Sequence, residues 1–389
     1  MTHEVCKPIL LDHFFFALHH TKLLSALGTQ DVHDSIGHSH GIYPGLPVFP
    51  DDVKGLTAIV TGANGISGCY MLKVLSQAPQ RWSKIYCLSR RPPLIDNGLP
   101  PNAEHIALDF LKDPEDIASV LRSKNISSSS EKIYVFFFSY IQAEPKPGAR
   151  LCSDAQKKCR INSLLLDNFL ATLVKADISP QRFMLQTGAK NYGGHLGPTK
   201  VPQEETDPRV ELESNFYYPQ EDSLFEYCQQ QGVGWYGEWA FLSPAARDRK
   251  FNTCDNSAFT WEGCGPSLPL GPDTEADTKW VEKDTRFNLR GYRDRVSSTR
   301  KFTFVQWAQR PKVVSVWKDI AEQNGLALKE LEDTERVFGV LDMTFSADKA
   351  RKFGWHGFVD SPESLLEVFD NMARIRIISL VPRIKVEFN

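Results

Sequence analysis

The sequence predicts an α/β fold: a doubly wound parallel sheet followed by a smaller, irregular region. Three observations carry that expectation. Short apolar strands alternate with helical periods over residues 56–235, the fourth strand is apolar on both faces, and a glycine-rich turn joins the first strand to the first helix.

The first strand is Leu56-Thr-Ala-Ile-Val-Thr61, and the helix after the turn carries Tyr70, Met71, Leu72 and Val74. Residues 84–88 read as a second strand and residues 105–108 as a third. Asp113 is expected to cap a helix that has Pro114 in its first turn and Ile117, Val120 and Leu121 along it. Residues 133–138, Ile-Tyr-Val-Phe-Phe-Phe, suit a central strand covered by helices on both faces. Residues 155–175 place Ile161, Leu164, Leu165, Phe169 and Leu173 at helical spacing. A fifth strand follows at 182–186, a helix at 221–230 and the start of a last strand at 232–235. Beyond Trp235 the order weakens. Residues 240–282 are rich in Pro, Gly, Ser and Asp, and no strand is expected there. Helices are expected at 311–323 and 362–369, the second capped by Ser361.

With 389 residues, 41% hydrophobic and 24% charged, the chain can bury a full core. A net charge of -3 with interspersed signs gives no reason to expect nucleic acid or an anionic membrane as partner. The eight cysteines show no Cys-x-x-Cys spacing, and Cys69, Cys87, Cys159 and Cys228 fall in apolar or helical patterns, as free thiols would in a reducing compartment. The apolar run at 9–18 is broken by Asp12 and His13 and is too short to span a bilayer, so a cytoplasmic protein is expected. The first forty residues hold seven of the ten histidines without a sustained period. They read as a polar, partly disordered extension (residues 1–42) rather than a metal site. A dinucleotide-binding domain at 43–235 and a substrate-side region at 236–389 complete the expected division.

Gly62-x-x-Gly65-x-x-Gly68, with Asn64 and Ile66 inside the turn, is the pattern of a Rossmann-type site. Its glycines permit the tight turn, let backbone approach a pyrophosphate and let the helix pack on the strand; the helix N-terminus favours the anion. The second strand ends in Ser89-Arg90-Arg91, where an NAD site would carry an acid for the ribose 2′-hydroxyl. Adjacent arginines instead offer a bidentate grip on a 2′-phosphate, so the expected cofactor is NADP. Asp109 and Phe110 follow the third strand, with Asp109 facing the adenine; Ser139 borders the ribose, and Gln186 completes the cofactor set. No Tyr-x-x-x-Lys occurs in the chain.

Two other segments stand in its place: Gln186-Thr-Gly-Ala-Lys190-Asn-Tyr192, after the fifth strand, and Asn215-Phe-Tyr217-Tyr-Pro-Gln-Glu-Asp222, which opens the next helix. They resemble the atypical short-chain dehydrogenases of the progesterone 5β-reductase and iridoid synthase family, fungal relatives included. The likeness spans residues 43–231 and, more loosely, 237–369. It implies that Lys190 and Tyr217 are the catalytic pair of an NADPH-dependent oxidoreductase. The substrate it implies is a small hydrophobic enone, enal or ketone, and self-association into a homodimer is left open. The family carries an Arg-Pro-x-x-Ile-x-Gly segment after its last strand, and none exists here. Gly232-Val-Gly-Trp235 runs straight into Tyr236-Gly-Glu-Trp-Ala240, which is similar to sequence well downstream in the family. A truncated final strand is therefore expected. The alternative it raises is an NADP(H)-binding protein without turnover.

Overall fold

Six parallel strands form the central sheet: β1 (Leu56–Thr61), β2 (Trp82–Ser89), β3 (Ala103–Ala107), β4 (Lys132–Phe137), β5 (Arg182–Leu185) and β6 (Gly234–Trp235). The computed structural model describes residues 38–40, 42–46, 48–95, 98–126, 132–143, 154–196, 199–231, 234–235, 249–255, 281–284, 297–300, 310–324 and 344–375, together with 242, 246 and 378. The strand order is β3-β2-β1-β4-β5-β6, and every ladder is parallel. The chain reverses direction across the sheet between β1 and β4, which opens a crevice at their carboxyl ends.

Alternation along β1 explains the two cores. Ile59 faces one, Ala58 and Val60 the other, and all six residues of the strand are buried. On the Ile59 side lie α2 (Pro114–Ser123), α3 (Ala155–Lys175) and α4 (Tyr217–Gln231), through Leu121, Leu165, Phe169, Leu173 and Leu224. The ring of Phe137 on β4 sits 5.7 Å from Phe169 and 6.1 Å from Phe183, so aromatic packing joins helix to sheet. On the other side α1 (Ile66–Ser76) buries Met71, Leu72 and Leu75 against Ala58, Val60, Trp82 and Cys87. Ala246, Leu242 and Phe251, all after the expected break, close this second core.

β6 is described at Gly234 and Trp235, paired with Arg182 and Phe183 of β5, and the residues on either side of it lie outside the described ones. The remaining described helices are α5 (Pro311–Asn324), α6 (Asp348–Lys352) and α7 (Ser361–Arg374). Ser361 is not the cap of α7. Asp360 is, its carboxylate accepting the Glu363 N–H at 3.0 Å, while the Ser361 hydroxyl donates to Asp255 at 2.8 Å. The strand Val281–Asp284, pairing antiparallel with Ser297–Arg300, overlaps the end of residues 240–282, where none was expected. Its sequence, Val-Glu-Lys-Asp opposite Ser-Ser-Thr-Arg, lacks the apolar alternation by which strands are read.

Cys87 and Cys228 are buried and Cys69 and Cys159 half-buried, all as free thiols. Burial pushes Cys69 up to about 11 and Cys87 up to about 12, so neither is a ready nucleophile. A short hairpin, His38–His40 with Tyr43–Leu46, docks on the C-terminal helix, the Tyr43 hydroxyl donating to Glu367 of α7 at 2.8 Å. The other five histidines of the extension lie outside the described residues. So does Tyr236-Gly-Glu-Trp-Ala240, the segment that follows Trp235. No helix among the described residues is long and apolar enough to cross a membrane.

Candidate functional site

The glycine turn sits at the carboxyl end of β1, beside the end of β4. Gly62 has φ +61°, and a Cβ there would lie 2.7 Å from the Phe138 carbonyl carbon and 2.9 Å from Ser139 N. Both the dihedral and the contact exclude a side chain. At Gly68 a Cβ would collide with the Gly62 carbonyl and the Ala63 backbone, so this glycine lets α1 pack directly on the turn. Gly65 is the N-cap of α1, and a Cβ there would meet only Gly62 O, at 3.3 Å. Asn64, Gly65 and Ile66 are exposed. The mouth of the turn is therefore open at a helix N-terminus, where backbone N–H groups lack carbonyls one turn back.

Thr61 is a residue that sequence reasoning missed. It is fully buried, and its hydroxyl oxygen accepts the N–H groups of Phe138 at 3.2 Å and Ser139 at 3.3 Å. It thereby fastens the end of β4, and with it Ser139, to the glycine turn. A hydroxyl at the last position of the strand, directly before the glycine turn, is the sign the sequence offers.

Ser89 is buried at the end of β2, and Arg90 and Arg91 beyond it are exposed. The Asp109 carboxylate accepts the Leu111 N–H at 3.0 Å and shapes the turn after β3. Phe110 does not line the crevice with its side chain. Its ring packs 5.0 Å from Phe169 in the core, and its carbonyl accepts from the Asn168 amide at 2.8 Å, because an aromatic ring gains more by burial there. Gln186 continues from β5, its N–H donating to the Phe137 carbonyl at 3.3 Å, while its side-chain Nε2 is buried without a hydrogen-bond partner.

Lys190 lies in a single 3₁₀ turn, Ala189–Tyr192, closed by Gly193 at φ +71°. Tyr217 begins α4 and is 6% exposed. Asn215 joins them. Its amide donates to the Lys190 carbonyl at 3.0 Å, and its Oδ1 accepts the Tyr217 N–H at 3.2 Å. This second bond draws the start of α4 back from the expected residue 221 to Tyr217. The neighbouring tyrosines have other tasks. The Tyr218 hydroxyl donates to the Asn191 carbonyl and accepts the Val210 N–H, both at 2.7 Å. Tyr192 donates to Asn252 at 2.5 Å, and burial followed by the charge of Glu205 pushes its phenol up. Glu221, one turn along α4 from Tyr217, accepts from Arg209 at 3.1 Å and Lys250 at 2.8 Å. Asn252 itself donates to the carbonyls of Gln203 at 3.0 Å and Ser346 at 3.2 Å, so chain from beyond the break packs against the Lys190 turn.

The open glycine mouth, the exposed arginine pair and the orphaned Gln186 amide all fit a dinucleotide lying along the carboxyl ends of β2, β1, β4 and β5.

No family profile matches the chain. It is similar to the short chain dehydrogenase gsfE of Penicillium aethiopicum, 25% identical over 404 residues and spanning 84% of this chain and 99% of that one. It is also similar to the 3-oxo-Delta(4,5)-steroid 5-beta-reductase of Arabidopsis thaliana, 22% identical over 82% of this chain and 92% of that one. A third relative is the (S)-8-oxocitronellyl enol synthase of Catharanthus roseus, at 23% with the same coverage. The expected resemblance to proteins of this group is thus found across most of the chain. The 404 aligned positions exceed this chain's 389 residues, so some of them face gaps here. Among solved structures, the Bordetella bronchiseptica enzyme WbmG in complex with NAD is similar at 13% identity and a TM-score of 0.40, over 84% of this chain and 98% of that one.

Proposed function

We propose that this chain is an NADPH-dependent short-chain reductase acting on a small hydrophobic enone, enal or ketone. One observation carries the reading: Asn215 ties the Lys190 turn to the Tyr217 N–H, beside the strand ends that carry the glycine turn. The relatives' names supply the substrate class. NADPH, when bound, supplies a hydride to the electrophilic carbon of such a substrate.

The chain's own residues divide the remaining work. The N-terminus of α1, opened by Gly62, Gly65 and Gly68, binds the pyrophosphate; Arg90 and Arg91 bind the 2′-phosphate. Asp109, Ser139 and the Gln186 amide border the adenosine and nicotinamide ends. Tyr217 donates a hydrogen bond to the substrate oxygen, where negative charge develops as hydride arrives at carbon. Lys190 favours the ionised phenol by its charge and binds the nicotinamide ribose. The Tyr218 hydroxyl bonds to backbone and that of Tyr192 to Asn252, which gives both a structural role.

A second reading, an NADP(H)-binding protein without turnover, rests on the lack of an Arg-Pro-x-x-Ile-x-Gly segment after Trp235. Thermal melts with and without NADPH, followed by NADPH-oxidation assays on a panel of enones, enals and ketones, separate the two. A ligand-dependent rise in melting temperature with turnover that Tyr217→Phe abolishes supports the reductase. A rise in melting temperature with no oxidation on any substrate supports the second reading and sinks the first.

A further inference from the structure

Between β2 and β3 runs a hydrogen-bonded chain that the glycine and arginine motifs leave unexplained. His105 on β3 stands opposite Cys87 of β2, on the face of the sheet that carries α1. Its Nε2 lies 3.0 Å from the Ser89 carbonyl and 3.3 Å from the Ser89 hydroxyl. A carbonyl cannot donate, so Nε2 bears the proton and donates to both oxygens. The Ser89 hydroxyl spends its own proton on the Arg91 carbonyl, at 2.6 Å. The Ser89 carbonyl also accepts the Leu108 N–H at 3.2 Å, so β3 holds this point from two sides.

Ser89 is 5% exposed and His105 half-buried, whereas Arg90 and Arg91 are exposed. The backbone on either side of Arg90 is therefore fastened to an imidazole on the next strand. A turn fixed before its ligand arrives loses less conformational freedom on binding.

We propose that His105 is a positioning residue for the 2′-phosphate: through Ser89 it sets the backbone from which Arg90 and Arg91 reach the ligand. The inference rests on the reading of those arginines as the phosphate grip. His105 acts without touching the phosphate, so its influence is confined to nucleotides that carry one.

Calorimetric titration with 2′,5′-ADP and with 5′-AMP tests this on wild type, His105→Leu, His105→Gln, Ser89→Ala and the Arg90→Ala/Arg91→Ala double variant. Wild type is expected to prefer 2′,5′-ADP and the double variant to lose that preference. His105→Leu is expected to weaken 2′,5′-ADP about fivefold, the scale of one lost hydrogen bond, and to leave 5′-AMP unchanged. His105→Gln, whose amide N–H can take the place of Nε2, is expected to restore the preference. If wild type shows no preference, or the double variant keeps it, the phosphate-grip reading fails and this inference falls with it. If those two behave as expected but His105→Leu retains full preference, or weakens both nucleotides alike, the role of His105 alone is overturned. Should His105→Leu fail to fold, Ser89→Ala decides: loss of preference supports the chain of bonds, and retention overturns it.

Discussion

Tyr217 and Tyr218 are adjacent and chemically identical, and their surroundings give them different work. The Tyr218 hydroxyl closes two bonds to backbone, while Tyr217 rests with its ring 4.3 Å from Phe216 at the start of α4. Substitution by Phe should separate them. Tyr217→Phe is expected to lower kcat about a hundredfold or more while NADPH affinity, measured by fluorescence titration, stays as in wild type. Tyr218→Phe leaves the Val210 N–H and Asn191 carbonyl unanswered and is expected to cost about 1–3 kcal/mol in urea unfolding, whatever it does to rate. The sequence points to the Asn-Phe-Tyr-Tyr segment without showing that the Tyr218 hydroxyl bonds to backbone, because its partners Val210 and Asn191 lie 8 and 27 positions earlier.

The regular elements were the most legible part. β1 and α3 occupy the residues that their apolar patterns predict, since both bury nearly continuous apolar faces. Helix starts were harder, because a cap is a local competition between neighbouring side chains. At α7 both Asp360 and Ser361 can cap; Asp360 does so, because the Ser361 hydroxyl is drawn to Asp255, 106 positions earlier. Asp360→Ala is expected to cost about 1 kcal/mol by thermal or urea unfolding, and Ser361→Ala to act through Asp255 instead. Glu104 on β3 accepts from Lys124 at 2.8 Å and from Lys84 at 3.1 Å, and those two bonds hold its carboxyl below the ordinary range. A depressed carboxyl stabilises the fold above its unfolded value of 4.5 and stops doing so as pH falls through the lower folded value. Glu104→Gln should therefore destabilise at neutral pH, by no more than about 1 kcal/mol for so exposed a pair, and match wild type in acid. Unfolding midpoints measured across that range check the sign.

At the scale of the whole molecule, residues 249–255 and 344–375 return to the sheet and hold the Lys190 turn through Asn252 and the hairpin through α7. No periodicity announces such contacts, since single polar side chains make them. Asn252→Ala removes partners from Tyr192, Gln203 and Ser346 at once and is expected to destabilise by about 1–3 kcal/mol. Activity should fall along with it if the Lys190 turn loosens, and urea unfolding beside NADPH-oxidation assays would show whether the two move together. The docked hairpin carries a consequence for how the chain is made. Tyr43 and Glu367 meet across 324 positions. A ribosome exports Tyr43 324 positions before Glu367, so the hairpin waits for its seat while everything between them is made. Strands β1 to β4, whose partners lie much closer in sequence, can assemble in the meantime. Pulse-labelled hydrogen exchange during refolding should accordingly protect the amides of β1 and β4 before that of Phe358, which donates to Pro44 at 3.3 Å.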